Sequence, residues 1–345
     1  MTRVTRCIVH AGAHKTGTTS VQDVLAAHRA ELAAAGFVYP ALGRGSRDHN
    51  ALAHRLATCA DDELPALRGA LARASVSTGA RPDGGATLLL SAEELSTRIC
   101  HPDPWAGFDD GDYWAHRRQY LARFRSLLPA AERTDVFVCF RDHESYAHAL
   151  YATKVLSGKV DCSFTDFVRR CAPIFDYTRQ AEVLAEVLGP VQVQAFDALR
   201  GDLVNLSFAW LGLPLRVEHT PRLRPTPALD LIHWLARAAG QPEHKRRAAF
   251  CRAYRRPPGQ KRQEGQEGQE GMAVHSLWPS AEARREFLHS CHPPPAIPWA
   301  APPATGRLSD PAALERRADD IEAEYQQWLR DGGHRKHWLY FWRRW

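Results

Sequence analysis

The chain has 345 residues, of which 44% are hydrophobic and 24% charged, with a formal net charge of +6. Its mean hydropathy is −0.40 and no apolar run reaches the roughly 18 residues a membrane span needs, so an integral membrane protein is excluded at this level. The charge excess and the pI of 8.9 suit an anionic ligand but are too small and too dispersed to imply nucleic acid as a partner.

The opening segment, Met1 to His10, holds an apolar stretch only about one strand long, too short for the core of a signal peptide, so a cytoplasmic protein is expected. The eight cysteines form no CxxC pair and read as reduced, structural thiols. The seventeen histidines make no HExxH and no Cys/His cluster of zinc spacing, so no metal is expected.

Val4 to Val9 is a β-branched run that predicts a first strand. A Gly/Thr-rich turn follows, and then Ser20 to Ala35 predicts a helix. Val21, Val24, Leu25 and Leu32 share one side of it, and Gly36 stands at its C-terminal cap. Phe37 to Tyr39 predicts a second strand, Ala41 to Asn50 a loop, and Ala51 to Ala74 a helix broken at Pro65. Thr87 to Leu90 is a short buried strand, and Ser91-Ala-Glu-Glu94 leads from it toward a helix. Tyr113 to Leu128 is an amphipathic helix. Val136 to Phe140 is another buried strand, with a helix running to Leu156 behind it. Further helices are predicted at Phe164–Cys171, Tyr177–Leu188 and Leu203–Leu211, and an alternating strand at Val191–Ala195.

Strands alternating with helices imply parallel βαβ units and a three-layer α/β/α fold with a mainly parallel sheet. The alternation ends near residue 215, which predicts one α/β domain over 1–215 and a mostly helical region over 216–345. In that region Leu229–Ala239, His244–Tyr254, Ser280–His289 and Pro311–Leu329 read as helices, the last capped by Ser309 or Asp310. Gln-Glu-Gly three times over marks a low-complexity loop near 257–272. The tail mixes Trp338, Tyr340, Phe341, Trp342 and Trp345 with Arg335, Lys336, Arg343 and Arg344. Packing on the domain is the favoured reading of the tail; peripheral contact with an anionic membrane and a stacking platform for a sugar acceptor are the functional alternatives.

The strongest signal is Gly12-Ala-His-Lys-Thr-Gly-Thr-Thr19, a glycine-rich loop between strand and helix. Successive backbone N–H groups and the positive end of the helix dipole can converge there on one anion, and Thr18 and Thr19 add hydroxyls. In a Walker A loop the lysine directly follows the second glycine. Here Thr18 takes that place, the lysine is Lys15, and no hydrophobic run ending in a magnesium-holding Asp is evident.

His10-Ala-Gly-Ala-His-Lys-Thr-Gly-Thr-Thr-Ser-Val-Gln22 resembles the 5′-phosphosulfate loop of sulfotransferases, particularly bacterial ones. The resemblance runs over roughly residues 3 to 215. It includes Gly36-Phe-Val-Tyr-Pro40, Leu90–Ser96, Val191–Phe196 and Phe208–Leu213. It implies the P-loop-NTPase-like sulfotransferase fold and transfer of a sulfuryl group from 3′-phosphoadenosine 5′-phosphosulfate (PAPS) to a hydroxyl or amine of a carbohydrate or small metabolite. It also implies that Gly12, His14, Lys15, Thr16, Gly17, Thr18 and Thr19 hold the 5′ end of PAPS, with Lys15 meeting the leaving oxygen.

The family's 3′-phosphate site has an Arg at a strand end, a Ser eight residues on and often a Tyr two further. Arg141 and Tyr151 match, whereas Ala149 stands where serine belongs, leaving Ser145 or His148 to supply a donor. Arg141 by itself also suits a surface ion pair with Asp142 or Glu144. For the base that takes the acceptor's proton, His49 and Glu93 rank equal and Glu94 third. A P-loop kinase and an inactive nucleotide-binding module are the competing readings.

Overall fold

The computed structural model describes residues 3–43, 45–76, 85–101, 108, 111–218, 227–254, 276–294 and 311–332. The low-complexity loop, the basic-aromatic tail and the Ser309/Asp310 cap lie outside them. Two compact units emerge from the chain's contacts. One holds Met1–Tyr146, Cys171–Arg224 and Cys291–Ala300; the other holds Ala147–Arg170, Pro225–Ser290 and Ala301–Trp345.

The first unit is an α/β structure on a five-stranded sheet. Its strands are β1 (Val4–His10), β2 (Phe37–Val38), β3 (Ala86–Ser91), β4 (Arg133–Phe140) and β5 (Val191–Ala195), in the order β2-β3-β1-β4-β5. Every pairing is parallel, as the alternation of strands and helices requires. The register places Ile8 beside Leu89 and Asp135, and His10 beside Ser91 and Phe137, so these six share one face.

On that face Ile8, Leu89 and Phe137 form one core with α1 (Thr18–Ala27), α2 (Arg29–Ala34) and α10 (Leu203–Leu211). Val21, Val24, Leu25, Leu32, Val204, Phe208 and Leu211 supply the helical side. Cys7, Val9, Leu88, Leu90, Val136 and Val138 alternate with that set and are equally buried. The helices α3 (Asn50–Thr58), α5 (Tyr113–Leu127) and α9 (Tyr177–Leu188) pack among themselves, and α9 also packs on β4 and β5; Tyr120, Leu121, Phe124, Val183 and Leu184 are their buried side chains. Helices on both faces make three layers.

Two predicted helices are divided. The helix expected over Ser20–Ala35 breaks at His28, whose φ of −104° and ψ of 25° leave the helical region, giving α1 and α2. The break expected at Pro65 falls earlier, between α3 and α4 (Leu64–Ala74), because Pro65 occupies the first turn of α4, where its missing N–H costs nothing. After β3 the chain makes only a short 3₁₀ turn, Glu93–Ser96, in place of a helix.

The second unit is helical where described. It contains most of α6 (His143–Leu156), α7 (Phe164–Arg170), α11 (Leu229–Ala236), α12 (His244–Ala253), α13 (Ala281–Ser290) and α14 (Pro311–Arg330). The remaining helix, α8 (Ala172–Phe175), belongs to the first unit. An aromatic core of Trp234, Phe250, Tyr325 and Trp328 ties α11, α12 and α14 together, and Arg247 lies 5.0 Å over both Trp234 and Tyr325. No helix of the described residues is long and apolar enough to cross a membrane.

Candidate active site

The ladder between β1 and β4 continues into the loop: Ala11 N–H donates to the Phe137 carbonyl at 2.9 Å and Ala13 N–H to the Cys139 carbonyl at 3.3 Å. The chain then turns sharply. Lys15, at φ 66°, is a non-glycine residue in the left-handed region, and Gly17 follows at φ 76° as the cap of α1. The Thr16 hydroxyl clamps the turn by donating to the Ala13 carbonyl at 2.6 Å. Two glycines are sterically required. A Cβ on Gly12 would come within 2.6 Å of the Thr18 methyl, and one on Gly17 within 2.1 Å of Leu203 Cδ2 on α10.

This backbone exposes a row of donors. Among the described residues the amides of His14, Thr16, Gly17, Thr18 and Thr19 have no main-chain acceptor; the next amide, Ser20, returns to the Gly17 carbonyl at 3.0 Å. Alternating left-handed residues at the opening of a helix form a concave nest of N–H groups, and α1 carries no acidic residue in its first turn to satisfy it.

The acidic residues facing the loop come from the 3₁₀ turn after β3. Glu93 accepts a short hydrogen bond from the Thr18 hydroxyl, and its other oxygen lies 3.5 Å from His14 Nδ1. Burial works to raise the Glu93 carboxyl, but the His14 ring, the Thr18 hydroxyl and the Lys15 ammonium outweigh it and hold it at about 2. Glu94 is engaged differently: His14 Nε2 at 3.7 Å, His54 Nε2 at 3.3 Å and Arg98 Nη1 at 3.4 Å surround its carboxylate. His54 and Arg98 were not among the sequence candidates.

His49, one of the two leading base candidates, is turned into the protein. It is 2% exposed; Nδ1 accepts from the Ser91 N–H at 2.9 Å and Nε2 donates to the Pro40 carbonyl at 3.0 Å. Burial pulls its pKa down to about 4, and the neutral ring serves as a tie between β3 and the loop after β2. His10, under the nest, is likewise buried and neutral. It bonds the Ser91 hydroxyl at 2.9 Å, and burial pulls it to about 4.

Arg141 leaves β4 on the same sheet edge, and its Nη1 reaches the Lys15 carbonyl at 3.5 Å. Its Nε is buried without a hydrogen-bond partner, and burial depresses its pKa. The guanidinium stands 5.6 Å over the Phe196 ring, where Arg200 approaches at 5.7 Å; Phe196 and Arg200 were not recognised from sequence. Tyr177 fixes the corner by donating to the Arg141 carbonyl at 2.9 Å and stacking on Phe140. Ser145 sits half-buried one turn further, its N–H capped by Asp142. Tyr151 belongs to the second unit, where its hydroxyl donates to the Cys162 carbonyl at 3.0 Å and its ring packs on Phe164 and Phe167.

No family model matches the chain. No curated protein matches it either. Among solved structures it is similar to a sulfotransferase from Alicyclobacillus acidocaldarius, at 17% identity and a TM-score of 0.37, over 67% of this chain and 89% of that one.

Proposed function

We propose that the chain is a sulfotransferase that uses PAPS, with the loop Gly12–Thr19 holding the donor's 5′ end and Arg141 its 3′-phosphate. The observation that carries the reading is the nest itself: left-handed Lys15 and Gly17, an uncapped helix start, and the amides of His14, Thr16, Gly17, Thr18 and Thr19 without main-chain acceptors among the described residues. Arg141 supports it, since a half-buried guanidinium with an unpartnered Nε is suited to fork onto phosphate oxygens.

The chemistry is an in-line displacement at sulfur. The acceptor's oxygen or nitrogen forms a bond to sulfur while the bond from sulfur to the bridging oxygen breaks. The electron pair leaves on that oxygen, which remains on the 5′-phosphate. The Lys15 ammonium offsets the growing charge, and the nest amides hold the oxygens around it. The acceptor's proton goes to a carboxylate, for which Glu93 is the nearest ionised group to the loop.

Binding of 3′,5′-ADP, the expected product, tests the reading against a P-loop kinase. In a thermal-shift titration 3′,5′-ADP raises the melting temperature at concentrations where ATP with magnesium does not. The reverse preference overturns the assignment.

A further inference from the structure

The side chains best placed to meet the 5′-phosphate end of an incoming donor already hold an anion that belongs to the chain. Glu93 takes the Thr18 hydroxyl in the first turn of α1 and faces His14 at 3.5 Å, and the Lys15 ammonium acts on the same carboxylate. Glu94, one residue on, is shared among His14, His54 and Arg98 and so has partners away from the loop. Glu93 is therefore the residue whose partners coincide with the donor's.

We propose that Glu93 is a built-in counter-anion of the loop, displaced by the sulfuryl donor and only then free to act as base. The inference rests on the sulfotransferase reading. Two anions cannot share one small set of donors without repulsion, so the donor must take Thr18, His14 and Lys15 from the carboxylate. That exchange lowers the donor's apparent affinity and gives the released carboxylate a stronger hold on a proton. The groups facing it are His14, Lys15 and Thr18 from the loop and α1, His10 from β1, Tyr146 from α6 and Glu94 on its own turn. Glu94 keeps His54 and Arg98 when the anion arrives, whereas Glu93 gives up His14, Thr18 and Lys15 together. The base is thereby weak while the loop is empty and strengthened when the donor is seated, which orders the reaction donor first.

The test is calorimetric titration of the full chain with 3′,5′-ADP, for wild type, Glu93→Gln and Glu93→Ala, alongside donor KM and kcat. Removing the internal competitor tightens 3′,5′-ADP binding by about tenfold and lowers donor KM, while kcat falls. This opposed pair is not what a merely structural residue produces. Variants that bind 3′,5′-ADP no more tightly than wild type, with melting temperature retained, overturn the inference and leave the sulfotransferase reading standing. A wild-type chain that does not bind 3′,5′-ADP overturns both.

Discussion

Arg141 carries a cost that its own surroundings do not repay. Its Nε is buried without an acceptor, its nearest hydrogen bond is a 3.5 Å contact to a carbonyl, and a second guanidinium shares its aromatic ring. On the proposed reading, the donor's 3′-phosphate would complete this guanidinium. Arg141→Ala is expected to weaken 3′,5′-ADP binding by about 10- to 100-fold, the worth of a charge-assisted hydrogen bond, and to leave 5′-AMP nearly unaffected. Competition titrations with both nucleotides check this, and equal losses for the two would remove Arg141 from the 3′-phosphate. The two base candidates ranked equal from sequence separate at the same scale. A loop histidine and a strand-end glutamate look alike in one dimension, yet His49 has both nitrogens committed to backbone while Glu93 reaches the loop. Nothing local to Arg47–Asn50 signals that the ring turns inward.

The candidate site is built on β1, its loop and α1 taken together. It was readable because its determinants are local: a β-branched run, two glycines at fixed offsets and an amphipathic start. Non-local packing then adds a constraint that spacing does not reveal. Gly17 is needed both for its positive φ and because Leu203 of α10, nearly two hundred residues away, lies against it. Gly17→Ala is expected to cost about 1–3 kcal/mol from the backbone strain, with a further loss as Leu203 is pushed aside. It should also abolish nucleotide binding. Urea unfolding measures the first and calorimetry the second; wild-type stability and affinity together would mean that the turn is not under this constraint. The break at His28 was missed, and the one ahead of Pro65 misplaced, for the opposite reason. Helix-favouring composition runs through His28, and a proline is as comfortable starting a helix as ending one.

At the scale of the whole molecule, the alternation of strands and helices is enough to read a parallel sheet with helical layers on both faces, whereas the strand order required coordinates. The helices after residue 228 were legible by amphipathic pattern, but the aromatic core that joins α11, α12 and α14 comes from residues spread over nearly one hundred positions. Several buried groups make stability depend on acid. His10, His49 and His143 are each drawn down to about 4 by burial, against about 6.5 in the unfolded chain. Between those values the unfolded state binds more protons than the native one, so stability is full above pH 6.5 and falls as pH drops toward 4. Glu93, held at about 2, extends the loss below pH 4.5. Unfolding free energies measured from pH 7 to 5 are expected to fall with a slope approaching three protons; a flat profile would contradict the buried neutral state of these rings.

Transfer of labelled sulfate from PAPS into metabolites of a host-cell extract, compared between wild type and Lys15→Ala, tests the central claim most directly. The account predicts a labelled product with wild type and a rate lower by about 10²-fold or more with the variant, the scale of one charge-stabilising donor. Equal rates from a folded Lys15→Ala protein, or no transfer by wild type in an extract that supports sulfation by a control enzyme, would contradict it.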